Sequence, residues 1–250
     1  CPDLFPLPVD GDPHNVKWVF WGANGNYMIG TFDGWTFQRE GEILSADAGA
    51  NFAAAQTWND IPGSDGRRIQ IAWMGSGVYP NMPFNQQMTF PCELSLRTTP
   101  DGLRLFRYPV GEIEALAVER HSWCDATLRP GDDPLDGIHH DLLDIRAEID
   151  LGTARSILFT LRGEPVRYSS SEERLFCRRT SAPLRPVDGR VKLRILLDRT
   201  SIEVFGNRGL VSMTSCFVPE PDDRTASLEA IGGTATVVEM HVTELRSAWN

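Results

Sequence analysis

Two groups of residues in this chain could do chemistry: carboxylates and imidazoles that could move protons, and a loop of aromatic and amide side chains that could hold a neutral polar ligand. Asp3 follows Cys1-Pro2 at the start of the chain, where it either contributes a hydrogen bond to a pocket or caps an Asx-type turn. Glu93 lies among Cys92, Leu94 and Leu96. That setting is a strand interior, which predicts an ion pair with Arg97 or Arg107 and not a catalyst. His139-His140 could relay a proton or bind a metal, but adjacent residues on a strand face opposite ways, so a solvated loop is the simpler reading. Tyr79, Phe84, Asn85 and Gln86 precede a strand-like stretch. Aromatic faces there could cover apolar groups of a ligand while amides bond its polar groups. The alternative is that Tyr79-Pro80 and Pro83-Phe84 fix a turn and fill a packing gap.

Composition narrows the partners. A formal charge of -10, with basic residues scattered apart from short pairs such as Arg67-Arg68, opposes binding to a phosphate backbone and excludes nucleic acid as an expected partner. No apolar run approaches the roughly 18–20 residues of a membrane span, so no membrane partner is expected. The five cysteines are widely spaced, with no CxxC pair and no His at zinc-finger spacing, which predicts free, mostly buried thiols and no metal. No phosphate-cradling glycine motif stands out, and no cofactor is expected.

The elements that must carry these residues are short and strand-like, separated by Gly, Asn, Asp and Pro turns. Val16 to Trp21 and Asn26 to Phe32 form a hairpin across Gly22-Ala23-Asn24-Gly25. Phe52 to Trp58 pairs with Arg68 to Met74, and Cys92 to Arg97 with Leu103 to Tyr108 across Pro100-Asp101-Gly102. Trp58 is expected to pack between such strands. Meanders of this kind suit propeller blades better than a βαβ array. Glu112 to Leu116 reads as a short linker helix, with Ile113 and Leu116 three apart on one face. Seven further strands between Asp144 and Leu245 suggest a β-sandwich. The expected architecture is all-β: 1–110 a run of propeller meanders, 111–119 a linker helix, and 120–250 a β-sandwich.

Four stretches carry a more specific signal. They are Cys1-Pro2-Asp3-Leu4-Phe5, Asp47 through Trp58 (DAGANFAAAQTW), Tyr79 through Arg97 (YPNMPFNQQMTFPCELSLR), and Asp198 through Phe205 (DRTSIEVF). In this order and spacing they resemble glycoside hydrolase family 32, the β-fructosidases, and most of all its levanase and inulinase members. The resemblance implies a partial five-bladed β-propeller (the end of blade three, then blades four and five) followed by the C-terminal β-sandwich. It also implies a retaining hydrolysis that releases fructose from fructans such as levan or inulin, or from sucrose.

Retention requires one carboxylate that attacks the anomeric carbon and another that protonates the leaving oxygen. The family's nucleophile and stabiliser motifs are not found in this sequence, and Cys1-Pro2 matches the second part of the family's Glu-Cys-Pro motif. The resemblance thus puts the acid/base Glu immediately before Cys1, assigns no catalytic residue to these 250, and predicts that the chain alone is inactive. It implies two partners, the N-terminal half of the propeller and a fructose-containing oligo- or polysaccharide, and leans toward a secreted or periplasmic location. Asp3 would then bond in the pocket or raise that Glu's pKa. Tyr79, Phe84, Asn85 and Gln86 match a family loop that reaches the sugar. The family often has Trp at the position of Phe84 and Tyr at that of Ala53, so contacts to substrate differ in detail. Two other readings stay open: a carbohydrate-binding or structural module derived from the family, and an enzyme of other chemistry using Asp3, Glu93 or the histidine pair.

Overall fold

The computed structural model describes residues 1–80 and 82–249; Asn81, part of the third stretch above, lies outside them. The chain divides into two compact units, Cys1–Asp47 with Asn51–Val110, and Ala48–Ala50 with Gly111–Asn250.

The first unit is one sheet built from two meanders. β1 (Asp3–Val9), β2 (Asp12–Trp21), β3 (Asn26–Phe32) and β4 (Phe37–Ser45) pair antiparallel in sequence order. β5 (Ala53–Thr57), β6 (Arg68–Met74), β8 (Cys92–Thr99) and β9 (Gly102–Pro109) form the second, and the two-residue β7 (Gln87–Met88) pairs with β6. The turns follow their residues. Gly25 has φ +79° and Asn24 Oδ1 accepts from the Asn26 amide at 3.1 Å, while Gly102, at φ +95°, closes the β8/β9 hairpin. Both are backbone conformations that glycine adopts without Cβ strain. The join between the meanders is narrow: β1 and β8 run parallel and share the register pair Val9↔Leu96. Asp10 reinforces it, its amide donating to Leu96 O at 2.9 Å and its carboxylate accepting from Thr98 N and Oγ1 at 2.8 and 2.6 Å. Phe5, Leu7, Val19, Trp21, Leu94 and Leu96 are among the residues of the shared apolar core.

The sequence reading needs revision in this unit. Asp3–Val9, not read as a strand from sequence, pairs along its length with β2 and opens the first meander. Two prolines hide β1 from propensity, and β4 is almost wholly exposed and polar. Trp58 does not pack inside but is 46% exposed. Glu93 does not find its expected arginines. Arg107 faces Leu94 across the ladder, on the opposite side of the strand from Glu93, and bonds Asp47 instead, while Arg97 turns to Ser95 Oγ and the Phe106 ring.

A 3₁₀ helix, Gly111–Leu116, buries Ile113 and ends where Ala117 already pairs with Leu245. Strand therefore begins inside the range 111–119 expected for the linker. β10 (Ala117–Leu128), β11 (Leu143–Asp150), β12 (Ser156–Leu161), β13 (Glu164–Ser169), β14 (Arg174–Cys177), β15 (Thr180–Pro183), β16 (Arg190–Leu197), β17 (Ser201–Gly206), β18 (Val211–Cys216), β19 (Ala226–Ile231) and β20 (Ala235–Leu245) complete the second unit. They form two antiparallel sheets, β10-β20-β11-β16-β17-β18 and β15-β14-β13-β12-β19. Ile145, Leu193 and Val204 of the first share one apolar cluster with Phe159, Tyr168 and Leu228 of the second, which is a β-sandwich core. His139 forms an isolated bridge with Thr225, and His140 Nδ1 bonds the Leu142 backbone, so the pair serves the local loop.

The cysteines are all free. Cys92 and Cys177 are buried and Cys1 and Cys124 exposed, so burial is less general than expected. Among the described residues no helix is long and apolar enough to cross a membrane.

Candidate functional site

The β5/β6 ladder organises the residues singled out above. At one end Thr57 lies opposite Gln70. There Asp3 Oδ2 accepts from both the amide and the hydroxyl of Thr57, each at 2.8 Å. Thr57 Oγ1 in turn accepts from Arg68 Nη1 at 3.3 Å, and the Arg68 guanidinium lies 5.3 Å from the centroid of the Phe5 ring. A hydroxyl that receives from a cation and donates to a carboxylate is polarised in one direction, which strengthens both bonds. These bonds of Asp3 reach across 54 positions of sequence instead of closing an Asx turn. They fix the chain directly after Cys1-Pro2 against β5, and Gln56 Nε2 adds a longer contact to Pro2 O at 3.5 Å.

At the other end of the ladder Ala53 pairs with Trp73. Between the two ends β5 bulges at Ala54, whose φ of +50° is left-handed and whose amide donates to Ala23 O at 2.7 Å. Bulges of this kind re-aim the flanking side chains. The chain leaves β6 at Met74 and returns at Gln87, the two forming a register pair; the intervening loop carries Tyr79, Phe84, Asn85 and Gln86.

Within that loop Tyr79 is buried and Phe84 is 44% exposed, their rings meeting edge to face with centroids 5.6 Å apart. Gly77 makes room for Tyr79: a Cβ at that position would sit 2.5 Å from the phenol oxygen. Asn85 and Gln86 are exposed, and Gln86 Oε1 accepts from Trp73 Nε1 at 2.7 Å. Asn51 Nδ2 donates to Gly75 O at 2.7 Å and ties down the base of the loop. Tyr79 thus supports Phe84 from below, and Gln86 is oriented by Trp73. The structure brings Tyr79 and Phe84 together and sets Asp3 among a different group of partners. Arg68 and Trp73 were not read from sequence as parts of this arrangement. Gly75 was the available signal for Trp73, since a Cβ there would press on the indole at 3.1 Å.

Elsewhere in the same unit the Arg107 and Asp47 side chains form a buried ion pair at 3.0 Å, with the guanidinium 4.1 Å from the Phe52 ring centroid. Stacking of this kind suits the planar, weakly hydrated arginine head group.

Comparison with known proteins identifies what this scaffold is. Residues 1–109 match the N-terminal domain of glycosyl hydrolases family 32, and residues 112–244 match the family's C-terminal domain. The chain belongs to glycosyl hydrolase family 32. It is 34% identical to a levanase of Bacillus subtilis, aligned over all of the chain and 43% of that protein, and 26% identical to the extracellular exo-inulinase of Aspergillus awamori, over all of the chain and 55% of that protein. The chain therefore spans about half, or less, of the length of these family 32 relatives. The crystal structure of the Aspergillus awamori exo-inulinase superposes with a TM-score of 0.85 at 24% identity, covering the whole chain and 57% of that structure. The E230A fructofuranosidase of Schwanniomyces occidentalis, complexed with fructosylnystose, superposes with a TM-score of 0.82 at 18% identity, over 99% of the chain and 60% of that structure. Both share the family 32 fold, in which β-propeller blades precede a β-sandwich.

Proposed function

We propose that this chain is the part of a retaining β-fructosidase that walls and supports the sugar site, acting on fructose-terminated glycosides such as levan, inulin or sucrose. The observation that carries the reading is the loop platform: a half-exposed Phe84 held on a buried Tyr79 and flanked by the amides of Asn85 and Gln86. An aromatic face beside amide donors and acceptors suits a furanose ring, whose CH groups and hydroxyls alternate. The names of the relatives, levanases and an exo-inulinase, favour a fructan.

Residues 1–110 supply blade strands of the propeller, the 3₁₀ helix Gly111–Leu116 a linker, and the strands from Ala117 onward the sandwich. Asp3 acts at the mouth of the reaction. Held by Thr57, its carboxylate lies just after Cys1-Pro2, where it would hold up the pKa of an acid/base carboxyl placed immediately before Cys1. The retaining reaction needs two carboxyl groups about 5–5.5 Å apart. We assign neither of them, nor the stabilising Asp, to residues 1–250, and the chain by itself releases no fructose.

The test is direct. Purified 250-residue chain is incubated with levan, inulin and sucrose and assayed for fructose; measurable release above a heat-treated control sinks the assignment. Binding is measured separately with a fructo-oligosaccharide. Phe84→Ala should weaken it in any protein that contains this loop, and unchanged binding would remove the loop from the site.

A further inference from the structure

The outer edge of the sandwich's six-stranded sheet carries a second group of chemistry-bearing side chains. β10 enters that sheet through a bulge: the register passes from Ala117↔Leu245 to Glu119↔Glu244, so Val118 is the extra residue. A bulge changes which side chains face one another. Here it sets Glu119 directly opposite Glu244, and His121, two residues along the same strand, projects on the same side as Glu119. One ligand atom from each of Glu119, His121 and Glu244 lies within 4.8 Å of the others, and His121 Nε2 is 3.2 Å from Glu244 Oε1.

Two carboxylates directly opposite on neighbouring strands repel one another. The nearby basic groups do not relieve this. Arg120 projects on the other side of β10, where it bonds Glu114 and Thr243, and His241 bonds Ser122 and Glu239. The His121 and Glu244 side chains are 30% and 19% exposed, so the Glu244 carboxylate is only partly screened by water. Glu119 is exposed and has the rotamer freedom to close on a shared ion.

We propose that Glu119, His121 and Glu244 form a binding site for a divalent transition-metal cation of the zinc type, with one imidazole and two carboxylate ligands and solvent in the remaining position. An imidazole among carboxylates selects zinc, nickel or copper over magnesium or calcium, which prefer oxygen alone. Bond lengths of about 2.0–2.2 Å to each ligand require the three side chains to draw in around the ion. The ion neutralises the opposed glutamates and cross-links the edge strand β10 to β20. The competing arrangement is an imidazolium at His121 acting as the counter-ion with no metal.

The test uses the chain stripped with a chelator, then titrated with Zn²⁺ by calorimetry and with Co²⁺ by visible absorption. One Zn²⁺ per chain is expected, with affinity falling on the order of tenfold or more in His121→Ala and in Glu119→Gln. His241→Ala and Cys124→Ser should leave it unchanged. Zn²⁺ should raise the Tm of the parent chain and not that of His121→Ala. Glu119 is exposed, so Glu119→Gln reports on the site even where His121→Ala folds poorly. Binding that survives both ligand substitutions, a thiolate charge-transfer band in the Co²⁺ complex, or no uptake at about 0.1 mM Zn²⁺ would overturn the proposal.

Discussion

Asp3 and Thr57 meet twice: one carboxylate oxygen accepts from the threonine amide and from its hydroxyl, both at 2.8 Å. The pair joins the first strand of one meander to the first strand of the next. Thr57→Val preserves shape and removes the hydroxyl, and with it the donor to Asp3 and the acceptor for Arg68. We expect a loss of about 1.5–3 kcal/mol in urea unfolding of the chain, largely recovered in Thr57→Ser. A Thr57→Val midpoint equal to that of the parent would show the hydroxyl bonds to be energetically idle.

Arg107 and Asp47 make a stronger case, because both side chains are 1% exposed. Removing one partner of a buried pair strands the other charge away from water. Arg107→Ala should cost about 3–5 kcal/mol and also lose the stacking on Phe52. Arg107→Ala combined with Asp47→Ala should be less damaging than the sum of the two single variants, and denaturant melts of all three test this.

Asp10 gives an acid-side prediction. Its carboxyl is held below the ordinary carboxylate range by the Thr98 hydroxyl and then by the Thr98 amide. A group whose pKa is lower folded than unfolded adds stability above its ordinary value and loses it as pH falls through the folded value. The join between the meanders should therefore loosen on acidification, and Asp10→Asn should flatten that part of the stability profile. An identical acid limb in Asp10→Asn would rule the contribution out.

Tyr168 gives the alkaline counterpart. Burial, with a smaller contribution from Glu173, pushes its phenol up to about 12, while the hydroxyl donates to Leu184 O at 3.0 Å. A raised value makes the neutral form the stabilising one: its contribution is intact below the unfolded value of about 10 and declines as pH rises from there through about 12. Burial also raises the Tyr27 phenol, so tyrosinate absorbance should show more than one phenol titrating late, and Tyr168→Phe should remove one of them at a cost of about 1–3 kcal/mol.

The loop platform predicts a division of labour. In a fructan-hydrolysing protein that contains this chain, Phe84→Ala should raise KM by about tenfold, equivalent to about 1.4 kcal/mol, with kcat changed less. Phe84→Trp should retain binding. A fall in kcat at constant KM would instead place Phe84 in the chemistry of the transition state.

What could be read from sequence depended on whether a residue's requirement is local. Gly25 and Gly102 announce their turns because a left-handed φ is a property of one residue, and the hairpins around them follow. Strands β4 and β10 escaped because both are edges whose side chains are mostly exposed, so no apolar alternation marks them. Glu93 was assigned arginine partners by proximity along the chain, yet the pleat turns it away from Arg107. Phe84 and Gln86 stood out as candidates by their types, whereas the burial of Tyr79 depends on Gly77 and a loop closed at Met74 and Gln87. Asp3 stood out, but nothing local names Thr57 as its partner, because that pairing exists only once β1 and β5 are folded.

The narrow join at Val9 and Leu96 has a consequence for how such chains change over time. Most hydrogen bonds of the first unit lie within one meander or the other, and few backbone bonds cross between them. Duplication, exchange or replacement of a whole meander would therefore break few backbone partnerships. The apolar core and the Asp10 clasp are what a newcomer would have to match, which makes the four-stranded meander the natural unit of inheritance in this fold.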